Sequence, residues 1–77
     1  MKIRSTNQRD EVADILRWSL ALAERGLAEH TPNWDTQSTW QNSLFRELAT
    51  GRWWVVYLAD HAWAGEVLVI PEGPAAS

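Results

Sequence analysis

The sequence predicts an α+β domain with the order strand–helix–helix–strand–strand, a three-stranded antiparallel sheet with two helices. Three observations carry that expectation. Apolar residues between Val12 and Leu27 recur at helical spacing, and the run Trp53–Leu58 is apolar at every position. A short turn around Asp60 and His61 then leads into a second apolar run ending at Ile70, which reads as a hairpin.

The opening Met1–Thr6 alternates and is short, as a first strand would be. Asn7 and Asp10 stand three apart, where a cap and its reciprocal partner belong. Behind them Val12, Ile15, Leu16, Ser19, Leu22, Ala23 and Leu27 form one helical stripe with a single small polar residue in it. Gly26 is placed to stop that helix. Ala28–Trp34 reads as a loop, because Pro32 blocks simple helical continuation. Asp35 or Thr36 can cap a second helix, in which Trp40, Leu44 and Leu48 fall every four residues, Phe45 and Ala49 widen the stripe, and Gly51 ends it. The strand after Gly51 is followed by the turn and by a last strand over Ala62–Ile70. Residues 1–72 are expected to form one domain and residues 73–77 a flexible tail.

Composition narrows the function classes. A chain of 77 residues is one small domain, and chains of this size usually need a disulfide, a metal or a partner to be stable. There is no cysteine, and the two histidines, His30 and His61, lack metal-ligand spacing. No metal site is expected, and a partner is the remaining staple. The net charge is -3 with the basic residues scattered, so nucleic acid is not an expected partner. No apolar run approaches the roughly 20 residues of a membrane span, and no signal peptide is visible; a soluble, cytoplasmic protein is expected.

Trp53 and Trp54 are adjacent, so in a strand they point to opposite faces. A strand apolar on both faces is usually a covered, central one. A solvent-facing stacking platform, the other reading, would call for basic neighbours, and Arg52 alone is close. His30, Trp34 and Asp35 form the densest polar-aromatic cluster. Its functional reading is an acceptor-pocket loop; its plainer reading is a loop anchored by Trp34. Glu24 and Glu29 read either as a carboxylate pair for a cation or as solvated charges. His61 is expected to be exposed in its turn. Ser19, Ser38 and Ser43 carry no nucleophile-elbow pattern, and no glycine-rich phosphate loop occurs.

Several phrases resemble the GNAT superfamily of N-acetyltransferases. "MKIRSTNQRDEVADIL", with Ile3, Arg4 and Asp10, is similar to their first strand and helix. "ALAERGLAEHTPNW" is similar to the stretch linking their first two helices. "WWVVYLADHAWAGEVLV", with Ala59–Asp60 at the turn and Gly65 opening the next strand, looks like their second and third strands. The resemblance covers nearly the whole chain and implies the N-terminal, substrate-side half of such an enzyme, in which the region from Gly26 to Trp40 helps shape the acceptor pocket. The family's Arg/Gln-x-x-Gly-x-Gly/Ala loop, which cradles the pyrophosphate of acetyl-CoA on a helix N-terminus, has no counterpart before Ser77. The resemblance therefore assigns no catalytic or cofactor-binding residue here. It implies a chain inactive alone, with acetyl-CoA entering only if a missing half is supplied. The alternative is a non-catalytic protein-interaction or oligomerisation module. In both cases the last strand, with Trp63, Val67 and Val69, is the expected partner-facing edge, and a homo-oligomer or a complementary chain the expected partner.

Overall fold

The helical stripe folds as expected from Val12 to Ala23, while Leu27, its last expected member, lies past the helix end and is exposed. In a computed structural model of the chain, which describes residues 3–60 and 62–73, helix α1 spans Arg9–Glu24 and buries Val12, Ile15 and Ser19. Its N-cap is Gln8, which makes no side-chain cap bond, so the reciprocal Asn7–Asp10 cap is not formed. The entry to the helix is held instead by Arg4, whose guanidinium donates to both carboxylate oxygens of Glu11 at 2.8 and 2.5 Å. Those bonds keep the Glu11 carboxyl below its usual range. At the other end, Leu27 N–H donates to Leu22 O at 2.9 Å and Gly26 N–H to Ala23 O at 3.1 Å, a Schellman closure. It needs a left-handed residue at Gly26, which has φ +74°.

Four strands follow: β1 Ala28–Pro32, β2 Asn42–Glu47, β3 Trp53–Tyr57 and β4 Glu66–Ile70. They form one antiparallel meander in the order β1-β2-β3-β4. The class is α+β, but the details differ from the sequence expectation in four places. The second helix is absent, and its residues Asn42–Glu47 form β2. A short apolar pair such as Leu44-Phe45 satisfies period 2 as well as period 3.6. The flanking Asn33, Asp35, Thr36, Ser38 and Thr39 favour turns over helix by bonding nearby backbone: Asp35 Oδ1 accepts from Gln37 N–H and Ser38 Oγ from Trp40 N–H. The loop expected at Ala28–Trp34 contains edge strand β1, paired to β2 from Ala28↔Glu47 to Pro32↔Ser43. The first strand reduces to one bridge, Thr6↔Val67, with bonds of 3.0 and 2.8 Å; Met1 and Lys2 lie outside the described residues. The last strand begins at Glu66 rather than Ala62, because Asp60 and Gly65 turn the chain before it. Of the expected tail, Gly73 donates its N–H to Ile70 O at 3.0 Å, and residues 74–77 lie outside the described residues.

Helix α1 starts beside β4, where Thr6 bridges, and ends at the turn into β1, so it crosses one sheet face diagonally. The core lies between them: Ile3, Val12, Ile15, Phe45, Trp54, Val56 and Val67, with Leu16, Trp18, Leu22, Ala23 and Val69 packed around. Trp54 is fully buried at its centre, and its indole N–H donates to Ser19 Oγ at 2.9 Å. That bond explains the one polar residue in the helical stripe: a buried indole N–H without an acceptor is costly. Trp18, Trp54, Phe45 and His30 continue as a ladder of stacked rings with centroids 5.9, 5.9 and 4.8 Å apart.

Candidate functional site

Among the described residues no helix covers the opposite sheet face. Strand alternation and the register place three rows on it: Glu29, Arg46, Trp53 and Ile70; Thr31, Leu44, Val55 and Leu68; and Asn42, Tyr57 and Glu66. Trp53 and Trp54 thus point to opposite faces, and β3 is an interior strand, as its two-sided apolar pattern implies. Leu44 and Val55 are buried nonetheless. Two loops bring Trp40 and Trp63 to the Tyr57 end of this face. The Trp40 and Trp63 ring centroids are 4.6 Å apart, and Trp63 lies 6.3 Å from Tyr57 at 59°. At the other end Arg46 sits over the Trp53 ring at 5.4 Å and bonds Glu29 at 2.8 Å.

The Tyr57 end is held by a dense polar frame. Buried Asn42 accepts from Asp35 N–H at 2.8 Å and donates to the carbonyls of Asp35 and Trp40, each at 3.0 Å. Tyr57 Oη donates to Asp35 Oδ2 at 2.8 Å. Across the cluster, Asp60 Oδ1 accepts from the N–H groups of Ala62 and Trp63, both at 2.9 Å. Arg9 reaches over from the helix to donate to Asp60 O at 2.8 Å and Trp63 O at 3.1 Å. Both tryptophan-bearing loops are therefore fixed by several bonds each.

Burial, the Asp35 hydrogen bond and the charges of Asp35 and Glu66 push the Tyr57 phenol up to about 12. The folded value exceeds the roughly 10 of an unfolded tyrosine, so the folded state keeps this proton longer. The contribution is fully present below about pH 10 and is lost as pH rises towards 12. Tyr57 is the single tyrosine, so its phenolate absorbance reports it alone. We expect ionisation well above pH 10 in the native protein and near pH 10 in urea; equal midpoints would remove the Asp35–Tyr57 contact from the account.

The residues singled out from the sequence are only partly brought together. Asp35 belongs to this frame. Trp34 beside it is 36% exposed. His30 lies on the helix side of the sheet, stacked on Phe45 with its Nε2 2.9 Å from Ser43 Oγ. That spacing suits a nucleophile and base, but no carboxylate bonds its Nδ1 among the described residues, and Ser43 sits mid-strand rather than on an exposed turn. The bond satisfies a buried hydroxyl. Ser19 is spent on Ile15 O and Trp54. Glu29 is paired with Arg46, not with Glu24, and His61 lies outside the described residues. Of the expected partner-facing residues, Trp63 precedes the strand and packs against Trp40 with the rings tilted by 36°. Val67 is in the core with its N–H and C=O bonded to Thr6, and Val69 donates its N–H to Ser5 Oγ at 3.0 Å. The outer edge of β4 is thus occupied at these positions by the chain's own N-terminal segment. Asn42, Tyr57 and Glu66 are not among the candidates read from the sequence, and Trp40 enters there only as a second-helix residue and as the end of the acceptor-pocket region. Asn42 lies between Gln41 and Ser43, so nothing local marks it.

A groove of about 470 Å³ lies elsewhere, on the helix side, walled by Val12, Ala13, Leu16 and Leu58 with Arg9 and Asp10 at its mouth. Arg9 is already engaged with the Asp60 and Trp63 carbonyls, so this groove has few free polar groups to orient a ligand. Among the described residues there is no group of three metal-ligating side chains and no helix long and apolar enough to cross a membrane. Comparison with family models, curated proteins and solved structures found no match.

Proposed function

We propose that the chain is a binding and self-association module that docks through its helix-free sheet face onto a second copy. The observation that carries this is where its exposed apolar side chains lie. Five large hydrophobic side chains are exposed among the described residues; Leu20 on helix α1 and Trp34 in the loop after β1 stand apart, and Leu68 stands in the middle row of that face at 38% exposure. Leu27 and Leu48, at 45% and 50%, extend the same face one pair beyond Glu29–Arg46, where Leu48 N–H donates to Leu27 O. Charge permits the same reading: Glu29 and Arg46 pair with each other at one end of the face and Glu66 stands at the other, so a copy turned end over end keeps the two Glu66 carboxylates apart.

Size decides how strong such docking is. Four strands at about 4.8 Å spacing and about 17 Å long project roughly 300 Å², whereas a standard interface buries about 800 Å² per partner. The association is therefore reversible and concentration-dependent, not obligate. Sedimentation analysis over a wide concentration range should show an average mass rising from monomer towards dimer. Leu68→Lys should hold the protein at monomer mass with unchanged circular dichroism. A wild-type mass that stays monomeric at the highest concentrations would sink the proposal. The same samples separate this reading from acetyl transfer: calorimetry with acetyl-CoA is expected to show no heat of binding. Saturable binding by the isolated chain would favour the transferase reading.

A further inference from the structure

Trp40, Trp63 and Tyr57 form a corner of three half-buried rings flanked by two carboxylates. Tight packing alone does not explain its composition. Asp35 accepts from the Tyr57 hydroxyl with one carboxylate oxygen and from Gln37 N–H with the other, with no cation bonded to it among the described residues. Glu66 lies directly opposite Tyr57 in the sheet register, on the same face, and has no ion-pair partner among the described residues. Among the described residues the cation bonded to these loops is Arg9, and it is engaged with two main-chain carbonyls.

We propose that this corner is a binding site for an organic cation of the alkylammonium class, such as a methylated amine. Aromatic faces attract a cation through their quadrupole, and a weakly hydrated methylated ammonium gives up little water to reach them. Carboxylates at the rim supply the countercharge without the strong desolvation cost of a buried ion pair. Preorganisation is already present. Asn42 fixes the distance between Asp35 and Trp40, while Asp60 and Arg9 fix the loop carrying Trp63, so binding needs little further ordering. Nucleotides and other anions are disfavoured by the same two acids.

The test is a titration with tetramethylammonium chloride against sodium chloride at matched ionic strength, followed through the indole N–H resonances of the six tryptophans. The expected result is a saturable shift of the Trp40 and Trp63 signals with Trp18 and Trp54 unmoved. Trp63→Ala should weaken the binding about two- to fivefold, the loss of one exposed cation–π contact, and Glu66→Gln by a similar factor, the loss of one exposed charge pair. Glu66→Gln retains all three rings, so it decides the matter if Trp63→Ala fails to fold. Equal shifts with sodium, shifts that never saturate, or a Glu66→Gln affinity equal to wild type would overturn the proposal. Tyr57 and Glu66 share the sheet face with Leu68, so the titration is repeated on Leu68→Lys. Saturable shifts in that variant beside a monomeric wild type leave this proposal standing alone, and a concentration-dependent wild-type mass without saturable shifts leaves the other alone.

Discussion

Trp54→Ala is expected to cost about 3–5 kcal/mol, the range for removing a fully buried large aromatic. Trp54 is 0% exposed and stands where the ring ladder meets the helix. Stability of roughly 0.05–0.15 kcal/mol per residue implies about 4–12 kcal/mol for a chain this long, so the substitution consumes a large part of it. Urea unfolding should show a large fall in midpoint, reaching an already unfolded chain where the wild type lies at the low end of that range. Ser19→Ala separates packing from hydrogen bonding: it leaves the ring in place but strands its N–H, for an expected loss of about 1–3 kcal/mol. If Trp54→Ala cost no more than Ser19→Ala, Trp54 would not be the centre of the core.

The contrast between these two positions explains what was legible in the sequence. Helix α1 could be read because its stripe, from Val12 to Leu22, and its stop at Gly26 are local signals, each confined to a few turns. Even Ser19 within that stripe was visible, although its purpose depends on a ring in β3, far along the chain. Strands β3 and the second half of β4 could be read because they are apolar on both faces, which happens mainly to interior strands. Strand β1 could not. Only Ala28 of its five residues is buried, and nothing in Ala-Glu-His-Thr-Pro makes it a strand except the presence of β2 beside it. Strand β2 in turn was misread because Trp40, Leu44 and Leu48 share a spacing that suits a helix, while what settles the matter is pairing with the Trp53–Tyr57 run.

The functional surface was less legible still, for a geometric reason. His30 and Asp35 are near neighbours in sequence, but the left-handed turn at Asn33, φ +53°, and the period of two separate them onto opposite sides of the sheet. Trp40 and Trp63 are far apart in sequence, and folding brings their centroids within 4.6 Å. The question raised by a strand apolar on both faces was what covers it. The helix covers the Trp54 side. On the Trp53 side, the chain's own tryptophans cover the Tyr57 end, and the row through Leu68 is left to a second copy in the function proposed above.

Gly65→Ala is expected to be the most damaging small substitution in the chain, at about 2–5 kcal/mol. Two costs add there. Gly65 has φ +83°, a left-handed conformation that costs a residue with a Cβ about 1–2 kcal/mol. A Cβ would also stand 2.6 Å from Tyr57 O, 3.0 Å from Ala59 N and 3.1 Å from Val12 Cγ1. Two of those three neighbours are main chain and cannot rotate away, so overpacking adds about 1–3 kcal/mol. Gly51→Ala is the control: its φ is +72°, but no atom lies within 4 Å of the added Cβ, so conformational strain is the main cost. The difference between the two variants in urea unfolding isolates the contact of the Gly65 backbone with β3 and helix α1. Equal losses at the two positions would show that β4 does not approach Tyr57 and Val12 this closely. Because Gly65 aims both β4 and the loop carrying Trp63, a folded remnant of Gly65→Ala should also lose the saturable indole shifts with tetramethylammonium. Gly51→Ala, remote from that corner, should keep them.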